Sequence, residues 1–174
     1  ALAAFVAALA LGAGLVLHRG AEERLTLDLL AAAALLGAGL SVFIALAQWA
    51  GGPALPFFTV DLPRGGRPFA NLAQPNHLCS AAFLGLCGAV LLHECGRLGR
   101  GAFWAAAGFL LMGMTLTGSR TGWLQTGLLA VLLAALGARC GSRLRWPQGL
   151  ALLAVYAAFT WAWPQLNAAL LASG

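Results

Sequence analysis

Long apolar runs alternate with short polar segments along the whole chain, and this alternation predicts membrane-spanning helices. The hydrocarbon core of a bilayer needs about 20 apolar residues per helix, with a range of about 17–25. Six runs approach that length, at residues 1–17, 25–49, 78–93, 101–117, 122–138 and 149–171. The pattern therefore predicts an all-α integral membrane protein in which residues 1–174 form a single transmembrane domain, a polytopic bundle of about six helices and part of a larger protein.

The composition excludes a soluble fold. The 174 residues are 61% hydrophobic and only 9% charged, and the mean hydropathy is +0.86, whereas soluble domains carry about 25% charged residues. A soluble domain of this length still exposes about 30% of the surface of its unfolded chain. So much apolar surface cannot be hidden from water at this size, so a lipid bilayer is the expected surroundings.

The arginines predict an orientation. All ten basic residues are arginines, and the formal net charge is +5. They stand singly between apolar runs without interleaved aromatics, so no nucleic-acid partner is expected. Seven lie in the first, third and fifth linkers between the predicted helices. Of the other three, two lie in the long loop at residues 50–77 and the third is Arg120. The positive-inside rule then predicts a multi-pass protein of a bacterial inner membrane, with the loop and Arg120 on the periplasmic face.

The segment at residues 66–77, GRPFANLAQPNH, runs directly into the third predicted helix. A structural interpretation accounts for two of its residues: Asn76 as the N-cap of that helix, with Pro75 fixing the approach of the chain. Capping does not explain Gln74 and His77. His77 is a candidate to donate to a phosphate or to polarise a hydroxyl, and it is the one candidate catalytic residue.

A second polar segment, Thr117–Gly122, separates two predicted helices that are barely long enough to cross a membrane. Arg120 in this turn either reaches lipid headgroups or serves a ligand. The third and fifth helices begin on the face that holds Arg67 and Arg120, and helix N-termini beside arginines favour anions, phosphate above all. Ser119 stands where a phosphate-binding P-loop requires lysine, so a nucleotide site is rejected.

No metal or cofactor is expected. The four cysteines form no CxxC pair, and Asp61 is the only carboxylate on the predicted periplasmic face. The candidate substrate-binding residues are Arg67, Gln74, Asn76, His77, Ser119 and Arg120.

Two motifs resemble a known family. Arg67-Pro68-Phe69, followed by Asn71 and Gln74-Pro75-Asn76-His77, and then Gly118-Ser119-Arg120-Thr121-Gly122, resemble the O-antigen ligase superfamily, in particular its bacterial O-linked protein glycosylation ligases (O-oligosaccharyltransferases). The Gln-Pro-Asn-His element is the more specific of the two. With the order of helices and the predicted orientation, the resemblance covers about residues 50–174.

The resemblance implies a glycosyltransferase without metal or nucleotide. It implies that a preassembled glycan passes from undecaprenyl diphosphate to a Ser or Thr of a pilin-like protein, or to lipid A core. It also implies that arginines at the membrane edge bind the diphosphate and that an essential His lies in a large periplasmic loop after these helices. That loop would begin where this sequence ends, so the 174 residues alone are expected to be inactive.

Other functions compete with this interpretation. Within the superfamily, a polymerase that joins O-antigen or polysaccharide repeat units is the alternative. Outside it, a transporter would show repeated halves with broken helices near the midplane, and a non-catalytic scaffold would not need Arg120 close to the membrane edge.

Overall fold

Five α-helices make up most of the described chain. The computed structural model describes residues 21–50, 66–72, 74–137, 139 and 141–172. Within them lie α1 (Ala21–Trp49), α2 (Pro75–Glu94), α3 (Arg100–Leu116), α4 (Thr121–Gly137) and α5 (Trp146–Ala172), and this part of the chain contains no strand. The predicted all-α class is confirmed.

Three of the helices are long and apolar enough to cross a membrane. They cover Arg24–Trp49, Pro75–Glu94 and Trp146–Ala168. The other two, α3 and α4, have 17 residues each, which corresponds to about 25 Å at 1.5 Å per residue, against a hydrocarbon thickness of about 30 Å. The first predicted helix, residues 1–17, lies outside the described residues, as does most of the loop.

The second helix is the centre of the bundle. It packs most extensively against α1 and also contacts α3 and α4, while α5 packs against α4 and α3. Its buried side chains include Leu78, Phe83 and Leu86. Outer faces carry large exposed apolar side chains, such as Leu36, Leu124 and Trp161, each more than 70% exposed. Such faces are unfavourable in water but suit contact with lipid.

Small residues let α1 and α2 approach closely. A Cβ atom placed on Gly88 would lie 2.5 Å from the carbonyl oxygen of Ala31, and one placed on Gly85 would collide with the Ala38 side chain. Membrane helices associate through such close packing, because lipid tails remove the hydrophobic drive between helices. The glycines on α2 therefore set the distance between the two helices.

Polar contacts close the end of the bundle at which α2 ends and α3 and α5 begin. The Glu94 carboxylate accepts the backbone N–H groups of Arg143 and Leu144 at 2.8 and 2.6 Å. Arg97 donates to Asp28 at 2.8 Å; its side chain is 63% exposed, so the pair stabilises the fold by at most about 1 kcal/mol. Desolvation, aided by the Asp28 carboxylate, raises the pKa of the Cys95 thiol.

The close contact at Gly88 predicts a steric effect. Gly88→Ala places a methyl group against backbone, which cannot move cheaply, so we expect a loss of about 1–3 kcal/mol of stability. Gly108→Ala is the matched control, because nothing lies within 4 Å of its added methyl and alanine favours the helix by up to about 1 kcal/mol. Thermal unfolding in detergent, followed by circular dichroism, measures both; equal stability of the two variants would contradict the packing.

Candidate functional site

The predicted site residues come together at one end of the bundle. The C-terminal part of α1, the segment at residues 66–72, the start of α2 and the turn between α3 and α4 all lie there; we call this the motif end. The C-terminal half of α5 joins them, because Trp49 Nε1 donates to Asn167 Oδ1 at 2.9 Å and the Trp49 and Trp163 rings lie 4.9 Å apart.

Gln48 holds the segment that carries Arg67. Its side-chain Nε2 donates to the Ala70 carbonyl and its Oε1 accepts the Ala70 N–H, both at 2.9 Å. Ala70 is fully buried and has a φ of 55°, a left-handed conformation that is uncommon for a residue other than glycine. The amide of Gln48 satisfies both backbone groups of this residue and so stabilises the turn.

Arg67 lies over the turn between α3 and α4. A Cβ atom placed on Gly118 would lie 3.2 Å from Arg67 Cδ, and Gly118 has a φ of +58°, which only glycine adopts without strain. The stem of Arg67 therefore packs on the Gly118 backbone, beside Ser119 and Arg120. This contact brings the two sequence motifs together.

Hydrogen bonds make the turn between α3 and α4 rigid. Thr117 Oγ1 donates to the Met114 carbonyl at 2.7 Å and accepts the Ser119 N–H at 3.1 Å. Ser119 Oγ lies 2.6 Å from Thr121 Oγ1 and accepts the Thr121 N–H at 3.3 Å. Ser119 is 5% exposed and its hydroxyl accepts the first N–H group of α4, whereas Arg120 is exposed. The turn thus presents Arg120 from a fixed frame.

A series of side-chain hydrogen bonds joins this turn to α2. Thr121 Oγ1 donates to Cys79 Sγ at 3.9 Å, and Cys79 donates to Gln125 Oε1 at 3.6 Å. Gln125 Nε2 in turn donates to Ser80 Oγ at 3.3 Å. Thr121 belongs to one of the two sequence motifs, whereas Ser80, Gln125 and Gln48 had no predicted role. The signal in the sequence that could have identified Gln48 and Gln125 is a glutamine within an apolar helix, since a buried amide needs hydrogen-bond partners.

The start of α2 differs from the prediction. The helix begins at Pro75, and Gln74 occupies the cap position with extended backbone and without a side-chain cap bond. The prediction that Asn76 is the N-cap is therefore wrong. The fixed φ of proline suits the first helical position, so the helix starts before Asn76. Gln74, Asn76 and His77 are all exposed.

One ring nitrogen of His77 has a partner. Nδ1 lies 3.2 Å from the Leu72 carbonyl oxygen, and because a carbonyl only accepts, Nδ1 carries the proton in this bond. In neutral His77, Nε2 is then an acceptor, and no partner contacts it among the described residues. A hydrogen bond on one nitrogen thus orients the other for a ligand.

The motif end is electropositive. Arg67 and Arg120 are exposed, and the described residues offer neither guanidinium a carboxylate partner. The N-termini of α2 and α4 lie at this end and add the positive ends of two helix dipoles. No group of three or more metal-ligating side chains occurs in the described ranges. This arrangement suits an anion with several oxygens, because arginines bind phosphates through paired N–H groups.

The hold of Gln48 on Ala70 can be measured without any ligand. Gln48→Leu removes both hydrogen bonds, each worth about 0.5–1.5 kcal/mol, so we expect amide exchange in residues 66–72 to become about tenfold faster. Ser41→Ala is the control on the same helix, because Ser41 Oγ donates to the Gly37 carbonyl one turn earlier and not to the segment at residues 66–72. Hydrogen-exchange mass spectrometry of the intact protein measures both. Unchanged exchange in Gln48→Leu would show that another contact holds the segment.

Comparison with known proteins agrees with the motifs. Residues 68–93 match the family described as protein glycosylation ligase. A general O-oligosaccharyltransferase of Acinetobacter baylyi is 40% identical over 57 residues, which make up 33% of this chain but only 10% of that protein. No solved structure matches significantly. The predicted resemblance is thus confirmed over a short segment: residues 68–93 are similar to the protein glycosylation ligase family, and the match spans about a tenth of the relative's length.

Proposed function

We propose that this chain forms the donor-binding part of an oligosaccharyltransferase that moves a preassembled glycan from undecaprenyl diphosphate to a Ser or Thr hydroxyl of a protein. The observation that carries the proposal is the packing of Arg67 on Gly118, next to Arg120. It unites two arginines and two helix N-termini around the segment that matches the family. No metal or nucleotide takes part.

Arg67 and Arg120 bind the diphosphate in this proposal. The bond between the anomeric carbon and the diphosphate breaks, and negative charge develops on the leaving group. Donors already held in place stabilise such charge more effectively than donors that must reorganise. The Gln48–Ala70 pair and the hydrogen-bonded turn from Thr117 to Thr121 supply that order.

The remaining candidates take supporting roles. Gln74, Asn76 and His77 are exposed around the start of α2 and contact the glycan or the diphosphate. Ser119 holds the turn that carries Arg120, since its hydroxyl is engaged with Thr121. His77 Nε2, as a hydrogen-bond acceptor, is the candidate to polarise a hydroxyl at this end, because the described part of the motif end carries no carboxylate.

The proposed setting is a bacterial inner membrane with the motif end on the periplasmic face. The apolar helices support a membrane location. The excess of arginines in the linkers at the other end supports the orientation. In this arrangement α3 and α4 also cross the membrane; the first of the six predicted spans, residues 1–17, lies outside the described residues.

Replacement of Arg120 tests the diphosphate role. In the intact protein, Arg120→Ala should lower transfer from a lipid diphosphate donor to an acceptor peptide about 100-fold or more, because charge-assisted bonds to the leaving group are lost. Arg120→Lys should recover only part of the rate, since a point charge does not reproduce the planar guanidinium. Arg145→Ala, an exposed arginine at the other end, is the control. Near-normal transfer by Arg120→Ala with normal protein levels would refute the role.

Replacement of His77 separates its two nitrogens. His77→Asn can keep the contact with the Leu72 carbonyl but has no counterpart of Nε2, so we expect it to be as poor as His77→Ala, about tenfold or more below the parent. Gln74→Ala should also lower transfer, and Asn76→Ala should lower it less. Initial rates at saturating donor, with protein levels checked by blotting, measure the series. If His77→Asn transfers glycan normally, the ring serves only to hold the loop.

A further inference from the structure

A second positively charged site lies at the opposite end of the bundle, far from the motifs. A cleft of about 250 Å³ opens where α2 ends and where α3 and α5 begin. We call it the basic cleft. It is lined by His93, Arg100, Trp104, Arg143, Leu144 and Gln148. None of these residues has a role in the proposed transfer reaction.

The acids near the basic cleft are already engaged. Both oxygens of Glu94 accept backbone N–H groups, those of Arg143 and Leu144, and Asp28 is paired with Arg97. The side chains of Glu22 and Glu23 lie outside the described part of the chain. Among the described residues, the guanidiniums of Arg100 and Arg143 therefore have no carboxylate partner.

The walls of the basic cleft are held in place. Arg143 Nη1 donates to the His93 carbonyl at 3.5 Å, and its guanidinium lies over Gly96, where an added Cβ would be 3.1 Å from Nη2. The His93 ring stacks on Phe103, and Phe103 meets Trp104 edge-on at 5.2 Å. A charged group held by such contacts binds a ligand with less loss of entropy than a free surface arginine.

The first turns of the two helices add donors. Gly99 occupies the N-cap position of α3 and has no side chain that could accept the first backbone N–H groups of that helix. At the start of α5, Gln148 Oε1 accepts the Arg145 N–H at 2.9 Å, which leaves the Nε2 donors of Gln148 for a ligand in the cleft. Two arginines and an amide around one cavity thus select an anion.

The position selects a lipid as the source of that anion. The basic cleft lies at the ends of apolar helices, and tryptophans mark this level: Trp104 lines the cleft and Trp146, at the start of α5, is 61% exposed. Leu150, one turn further along α5, is 52% exposed and offers an apolar surface for acyl chains. The cavity is smaller than the roughly 300–1,000 Å³ of sites that enclose drug-sized ligands, so it suits a headgroup phosphate.

We propose that the basic cleft binds the phosphate of an anionic phospholipid from the surrounding membrane. Basic pockets between membrane helices are known to hold such headgroups. The bound lipid would join the ends of α2, α3 and α5, and would add to the hydrogen bonds of Glu94 and Arg143 and to the stacking of His93 on Phe103. The inference does not depend on the transfer reaction, because it concerns the other end of the bundle.

Native mass spectrometry of the intact protein tests the proposal. The protein is released from nanodiscs that contain phosphatidylcholine with a minor fraction of phosphatidylglycerol or cardiolipin, and retained lipids are counted. We expect preferential retention of the anionic lipid. Arg100→Gln and Arg143→Gln should each weaken it about fivefold, and the double variant about 30-fold. Arg139→Gln, an exposed arginine that does not line the cleft, is the matched control and should retain lipid normally.

Competition with inorganic phosphate identifies the source of the anion. If phosphate displaces the lipid only at far higher concentration, the acyl chains contribute and the proposal holds. Equal affinity for free phosphate would overturn the assignment to a lipid. Equal losses in Arg139→Gln and in the cleft variants would also overturn it, because binding would then be diffuse surface attraction. Arg143→Lys, checked for native helicity by circular dichroism, should retain more lipid than Arg143→Gln, and the reverse order would contradict a charge-based site.

Discussion

Backbone that leaves a helix close to the hydrocarbon of a membrane has to find its hydrogen-bond partners inside the protein. Side chains meet this requirement at three of the described junctions. Gln48 satisfies both backbone groups of the buried Ala70, and Thr117 and Ser119 satisfy the turn between α3 and α4. At the other end, Glu94 satisfies the chain that leads into α5.

This constraint explains why the candidate site is ordered. The segment at residues 66–72 lies outside any helix, yet Gln48 ties it to α1 and Arg67 packs on Gly118. Two exposed guanidiniums then stand on a frame whose polar groups are satisfied internally. Binding of a diphosphate would not need to order residues 66–72 first, and ordered donors act more strongly on developing charge.

The two ends of the bundle use arginine differently. At the end where α2 stops, Asp28 pairs with Arg97 and Glu94 binds backbone, so only part of the positive charge is free. At the motif end, the described residues contain no acid at all. The anionic substrate proposed at one end and the anionic lipid proposed at the other rely on the same property of guanidinium, which binds phosphate oxygens in pairs.

The amino-acid sequence by itself determined which parts of the chain are helical and which polar residues lie at which end. Each apolar run indicates its own helix, because the transfer of its side chains out of water depends on that run alone. The predicted bounds of α3 and α4 therefore agree with the structure to within one residue at each end. The start of α2 was predicted at residue 78 but lies three residues earlier, because the helix begins at Pro75 and Asn76 is not its N-cap. The family segment was also recognisable, since its residues are contiguous.

Only the tertiary structure decided which of these residues meet. Gln48 and Ala70 are separated by 22 residues, and neither residue alone indicates its partner. The packing of Arg67 on Gly118 requires the segment before α2 and the turn after α3 to lie side by side, which depends on the packing of α2 against α1 and α3. The basic cleft likewise joins Arg100 and Arg143 from different helix ends. Hydropathy identifies three helices that are long and apolar enough to cross a membrane, but contacts between helices arise from shape and hydrogen bonding across the bundle.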